Sequence, residues 1–189
     1  MPARTICGVE YSVALAEAAA RRLDTVIQGD LNQADALHGF EGKLFDCIIC
    51  ADVLEHLRQP EDLLSRLRPL LTADACLIVS LPNNRNLSAF ISIFLRGTFP
   101  RRQRGIFDDT HWRWFTFADG RRLLTDAGFV VERTNFNLRW GDKGGGRANK
   151  TLIRFVGPLT GYLPPVREFL SYQFVMRAQL ASEPLNKSI

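Results

Sequence analysis

No apolar run in this sequence is long enough to cross a membrane. The longest candidate, Leu87 to Leu95, spans nine residues and contains Ser88 and Ser92, against the roughly 20 that a span requires. The N-terminus, Met1-Pro2-Ala3-Arg4, does not open an apolar segment of signal-peptide length. Both absences lead to the expectation of a cytoplasmic protein. Lysine is scarce: Lys43, Lys143, Lys150 and Lys187 are the only ones among 24 basic residues, so arginine carries the net charge of +4. So small an excess does not mark a nucleic-acid surface. Cysteine is limited to Cys7, Cys47, Cys50 and Cys76, all in apolar, strand-like runs. Cys47 and Cys50 form a CxxC, but residues three apart on a strand point to opposite faces, so this pair neither shares a metal nor closes a disulfide. Buried free thiols in a reducing compartment are expected, and no metal-binding set is expected anywhere in the chain. Internal repeats and low-complexity tracts are also missing.

What is present suits one folded domain, residues 1–189. The chain is 46% hydrophobic and 23% charged, which excludes disorder and allows a sizeable core. Strand-like and helix-like segments alternate over the first two thirds. Thr5–Val9, Thr25–Gly29, Phe45–Ala51 and Ala75–Leu81 read as strands, and Phe45–Ala51 is apolar enough for a central strand covered on both faces. Ser12 reads as an N-cap for a helix over Val13–Leu23, and Asn32 to Lys43 as a polar loop. Pro60, followed by Glu61 and Asp62, predicts a helix start, with Leu63, Leu64, Leu67, Leu70 and Leu71 as its buried stripe. Phe117–Ala127 reads as a helix stopped by Gly128, and Phe129–Arg133 as a strand. Residues 141–146 form a glycine-rich connection, Leu152–Val156 is apolar, and Phe169–Leu180 reads as a packing helix or a dimer contact. The alternation argues for a parallel α/β sheet with helices on both faces.

In such sheets ligands bind beyond the carboxyl ends of the strands. Glu10, Asp30 and the Ala51-Asp52 pair all stand at such ends. The two oxygens of Glu10 suit a ribose diol, and Asp30, with the Leu31 backbone beside it, suits an adenine amino group. Each acid alone is as readily a surface or turn residue; the repeated strand-end placement favours the binding role. A glycine-rich turn should precede such an acid by about 20 residues, yet only nine residues come before Glu10 and none forms that turn.

Gly8-Val9-Glu10-Tyr11-Ser12, Gln28-Gly29-Asp30 and Phe45-Asp46 with Ala51-Asp52-Val53-Leu54-Glu55-His56 resemble successive motifs of class I S-adenosylmethionine-dependent methyltransferases. The likeness continues through Leu77–Asn83, His111–Thr116 and Leu123–Phe129, covering roughly residues 5 to 135. It implies a Rossmann-like methyltransferase sheet, N-terminally truncated, with the first strand, its glycine loop and the following helix missing. It also implies S-adenosylmethionine as cofactor, held by Glu10, Asp30, Leu31, Ala51, Asp52 and Val53, and a small-molecule or glycan-type acceptor. A substrate-cap insertion is expected at about 83–112.

His56 and His111 are the candidate catalytic bases, because imidazole titrates near ~6.5 and can take a proton from an attacking hydroxyl or amine. Packing roles for both remain open, as they do for Trp112, Trp114 and Phe115. Between Arg85 and Arg104 lie five arginines and no acid, interleaved with Phe90, Phe94 and Phe99; this composition suits an anionic substrate or a membrane surface. Exposed strand edges would favour a homodimer. Two other functional readings stand beside methyl transfer: a non-catalytic methyltransferase-like interaction module, and a nicotinamide-dependent Rossmann enzyme, which Glu10 permits.

Overall fold

The computed structural model describes residues 4–139, 150, 151, 154, 155, 157 and 163–182. The glycine-rich connection at 141–146 lies outside the described residues, as does most of Leu152–Val156. Six strands occur in this region: β1 (Cys7–Glu10), β2 (Thr25–Gln28), β3 (Phe45–Ala51), β4 (Leu71–Pro82), β5 (Phe129–Leu138) and β6 (Ser171–Leu180). The helices are α1 (Val13–Ala19), α2 (Pro60–Leu67), the one-turn α3 (Leu87–Phe90), α4 (Phe117–Asp126) and α5 (Pro164–Leu170).

The strands form two separate sheets. β1 and β2 pair in parallel, and the second sheet has the order β3-β4-β6-β5. β3 and β4 are parallel, whereas β6 runs antiparallel to both β4 and β5. No described residue hydrogen-bonds β1 to β3. The gap falls where the order of motifs leaves out one strand, and it gives β1 and β3 one open edge each.

Several sequence expectations hold. β3 has the predicted bounds, Pro60 opens α2, and all five leucines of the expected stripe enter the main core, though only Leu63, Leu64 and Leu67 lie on α2: Leu70 ends a 3-10 turn and Leu71 begins β4. Thr116 and Asp119 close a reciprocal capping box on α4, satisfying two backbone N–H groups that the helix leaves unpaired. Gly128 ends this helix with φ +82°, a left-handed conformation that costs glycine little. Gly120 lets α4 approach the sheet closely: a Cβ there would lie 2.9 Å from Phe174 and 3.0 Å from Leu81.

Other expectations need correction. From Ser171 onward the final apolar segment is strand β6 inside the sheet, not a packing helix. Tyr172, Phe174, Met176 and Ala178 are buried at every second position, the period of a strand. Its direction makes the sheet mixed, not parallel. The loop after β2 contains a 3-10 helix, Ala34–Phe40, and α1 stops at Ala19, four residues early. Ser12 is the N-cap by position, but its side chain makes no capping bond.

β3 is not covered on both faces. Ile49 is 63% exposed and Cys47 is exposed as well, while Cys50, on the opposite face, is buried. Cys47, Ile49 and Ala51 share a face that no described helix covers, whereas Phe45 packs edge to face on Phe40 of the 3-10 helix. Cys47 pairs in register with Cys76, and both are free thiols. Burial pushes the Cys50 thiol up to about 12, so it is an inert packing group.

These exposures set a testable contrast. Ile49→Lys is expected to change the urea-unfolding free energy by no more than about 0.5 kcal/mol, as an exposed position should. Leu77→Ala, at a fully buried site, is expected to cost about 2–5 kcal/mol. A loss above about 2 kcal/mol for Ile49→Lys would show that this face of β3 is covered in solution.

Candidate functional site

The carboxyl ends of β1, β2 and β3 open onto one cleft of about 1100 Å³. Glu10, Asp30, Leu31, Asp52, Val53 and His56 all line it. Ala51 and His111 do not. Glu10 reaches the cleft from the last residue of β1, and its Oε1 accepts the Ser12 N–H at 2.8 Å, leaving Oε2 open. Asp30 is a turn residue as well as a wall residue: its Oδ1 accepts from both the backbone N–H and the side-chain amide of Asn32, each at 2.9 Å.

Asp52 is held in the left-handed region with φ 52°, which is uncommon for a residue with a side chain and marks local strain. What holds it there is side-chain bonding from the sheet. Its N–H donates to Ser80 Oγ at 3.0 Å, and the Ser80 hydroxyl donates back to Oδ1 at 2.9 Å. Gln173 Nε2 on β6 donates to Oδ1 and Oδ2 at 2.6 and 2.8 Å. The carboxylate is therefore engaged by the sheet. Ser80 and Gln173 were not singled out in the sequence, because the strand pairings that bring them to Asp52 are not local.

Arg66 is a further residue that the sequence did not reveal. From α2 its guanidinium donates to the carbonyls of Leu31, Gln33 and Ala34 at 2.6, 2.7 and 3.2 Å. It thereby fixes the wall after β2 against the helix after β3. Arg58 extends this side: its N–H donates to Asn32 Oδ1 at 2.9 Å, and its guanidinium lies over the Trp112 ring, 4.9 Å from the centroid.

Behind His56 lies a compact polar cluster. The Trp112 and Arg113 N–H groups both donate to the Glu55 carbonyl, at 2.9 and 3.1 Å. This stitch brings residues separated by more than fifty positions side by side. The His56 and His111 rings meet edge to face with centroids 4.7 Å apart. The Thr110 hydroxyl donates to Asp108 Oδ1 at 2.5 Å and lies 3.0 Å from His56 Nδ1. A hydroxyl has one proton, and here the carboxylate takes it. His56 Nδ1 then donates to Thr110 Oγ1, and in the neutral ring the lone pair falls on Nε2.

Desolvation works against the Asp108 carboxylate, but bonds from Thr110 and the nearby imidazoles hold it below the ordinary range. Burial and the neighbouring His56 depress His111, against the Asp108 charge and a hydrogen bond to the Ile106 backbone. Glu55 is the least ordinary member. It is 1% exposed, and neither carboxylate oxygen finds a partner of normal geometry among the described residues; its own amide is the one donor nearby. Burial, with the charges of Asp52 and Asp108, pushes it up to about 8. Glu55 belongs to the motif quoted above, but nothing local showed that it would be buried.

With this geometry in view, the comparisons with known proteins are informative. The fold is that of S-adenosylmethionine-dependent methyltransferases. It is similar to one such enzyme from Archaeoglobus fulgidus, with a TM-score of 0.56 and 14% identity over 92% of this chain and 75% of that one. A possible histamine N-methyltransferase from Thermotoga maritima gives 0.58 and 16%, covering 92% of this chain and 72% of the other. Magnesium protoporphyrin IX methyltransferase from Synechocystis, solved with bound S-adenosylhomocysteine, gives 0.55 and 20%, covering 94% and 64%. The chain thus spans 64% to 75% of these three neighbours. No curated protein matches the sequence significantly. Residues 2–77 match the family described as a methyltransferase domain. That match covers the N-terminal part of the chain, and the likeness to solved structures is one of fold.

The buried acid gives a pH prediction. The folded chain keeps the Glu55 proton up to about 8, whereas the ordinary value is 4.5. Stability is therefore full below the lower value and declines as pH rises through the interval. Glu55→Gln should match the parent in acid and exceed it by on the order of 4 kcal/mol at the upper end. Parallel urea-unfolding profiles for the two proteins across that range would refute the assignment.

Proposed function

We propose that the cleft binds S-adenosylmethionine and serves methyl transfer to a small-molecule or glycan-type acceptor. The observation that carries this reading is the convergence of Glu10, Asp30, Leu31, Asp52 and Val53 on one cleft at the carboxyl ends of parallel strands. The nucleoside half of the cofactor fits these residues. Glu10 Oε2 is open for a ribose hydroxyl, and Asp30 Oδ2 is open toward a base amino group. The methionine half is less well served, since no strand or glycine turn stands between β1 and β3 among the described residues.

When bound, the cofactor supplies a sulfonium methyl group to a nucleophile. The protein's part is alignment and deprotonation. His56 lines the cleft, and in the neutral ring, with Nδ1 donating to Thr110, its Nε2 can accept the proton that the acceptor's hydroxyl or amine loses. His111 supports it from behind through ring contact. Residues 83–112, with their own small buried cluster of Ala89, Ile106 and Phe107 against Tyr172, act as the substrate cap. Their exposed Phe94, Leu95 and Phe99 beside the arginines suit an anionic acceptor or contact with a membrane surface. No helix among the described residues is long and apolar enough to cross a membrane.

The open edges of β1 and β3 favour a second reading, an interaction module that pairs through those strands, including with a second copy of itself. Titration separates the two readings. Calorimetry with S-adenosylmethionine is expected to show weak binding, short of micromolar affinity, because backbone contacts to the amino-acid end are missing. Chemical-shift mapping with millimolar S-adenosylhomocysteine should then perturb residues of this cleft. Glu10→Ala should weaken that binding about 10–100-fold, the value of charge-assisted hydrogen bonds to the ribose. Shifts elsewhere, or none at all, would leave the interaction module as the better account, and NAD competing on equal terms would favour the nicotinamide reading.

A further inference from the structure

We propose that Glu55, His56 and His111 form a binding site for one divalent transition-metal ion beside the cleft. One donor atom from each of the three lies within 4.8 Å of the donors of the other two. Two imidazoles and one carboxylate are a ligand set for zinc and its first-row neighbours, and they leave a position open for an exogenous ligand.

Proximity alone would not justify a site. The second observation is Glu55: a carboxylate 1% exposed, with both oxygens lacking a protein partner of normal geometry. A buried acid left this way costs stability. An ion between it and the imidazoles would supply the missing partner. The third observation is the shell around the ligands. His56 Nδ1 is held by Thr110, which Asp108 orients in turn, and the His111 ring packs edge to face on His56. His56 thus has one nitrogen engaged by an oxygen and the other available. Metal-ligating histidines are oriented in this way, through a carboxylate or a backbone carbonyl.

The backbone supports the same arrangement. The paired bonds from Trp112 and Arg113 to the Glu55 carbonyl fix His111 opposite Glu55 and His56. With an ion in place, the acceptor's oxygen or nitrogen would take the open position and lose its proton to solvent, coordination replacing the free imidazole as the means of deprotonation. That last role rests on the methyl-transfer reading; ion binding does not.

The test therefore uses the purified chain, stripped with chelator, with no cofactor and no acceptor present. Zinc chloride is titrated by calorimetry, and cobalt(II) by visible absorption. One ion per chain is expected, with a cobalt spectrum free of thiolate charge-transfer bands. His111→Asn and Glu55→Gln should each weaken binding on the order of 100-fold or more, and Thr110→Val about 10-fold to 100-fold. His38→Ala and Cys47→Ser should bind as the parent does. Circular dichroism of each stripped variant confirms that the loss is read on folded protein; should one variant fail to fold, the remaining two decide. The proposal is overturned if no saturable binding occurs, if binding survives the ligand substitutions, or if Cys47→Ser abolishes it. Failure of S-adenosylmethionine to bind would not affect this result.

Discussion

The pairing of β4 on both edges is the constraint on which the rest of this structure depends. β4 runs parallel to β3 and antiparallel to β6, and Leu77, Val79 and Leu81 along it are fully buried. Its Ser80 hydroxyl holds Asp52 in a left-handed conformation from one side, while Gln173 on β6 grips the same carboxylate from the other. At its end, Asn83 is fully buried and donates to the carbonyls of Glu168 and Ser171 at 2.6 and 2.8 Å. The strand that anchors the core thus also fixes the rim of the cleft. Removing its pairing to β6 would release both at once.

The opposite flank is built differently. β1 and β2 pair only with each other, and no backbone bond joins them to β3. They meet the main core through side chains such as Cys7, Val9 and Ile27. Arg66 adds a polar tie, from α2 to the loop after β2. A wall secured by packing, the Arg66 guanidinium and the Arg58–Asn32 bond is easier to displace than one secured by a continuous ladder. The side of the cleft formed by the ends of β1 and β2 therefore rests on the less constrained part of the molecule.

Behind the cleft, a polar cluster sits in an environment that should reject it. Glu55 is as buried as the leucines around it, and burial alone accounts for most of its resistance to ionising. Proteins retain such groups where function repays their cost in stability. The Asp108–Thr110–His56 relay and the stitched Glu55 carbonyl give the cluster a fixed geometry in place of a loose assembly of acids and bases.

The sequence by itself determined the elements whose signals are local. Proline at the start of α2, the capping residues of α4, the apolar run of β3 and the acids at strand ends could all be read from neighbouring residues. The same holds for the gathering of Glu10, Asp30 and Asp52, because alternating strands and crossovers bring successive strand ends to one edge. Tertiary structure alone decided which apolar residues are covered. Ile49 and Cys47 sit in a run that reads as core, yet they are exposed, because burial depends on a neighbour and none among the described residues covers that side of β3. It also decided the direction of β6, whose two-residue period was present in the sequence but whose partners lie about a hundred residues away along β4. The joining of His111 to Glu55 and His56 was likewise out of reach. It depends on backbone bonds across fifty-odd residues, which no local pattern encodes.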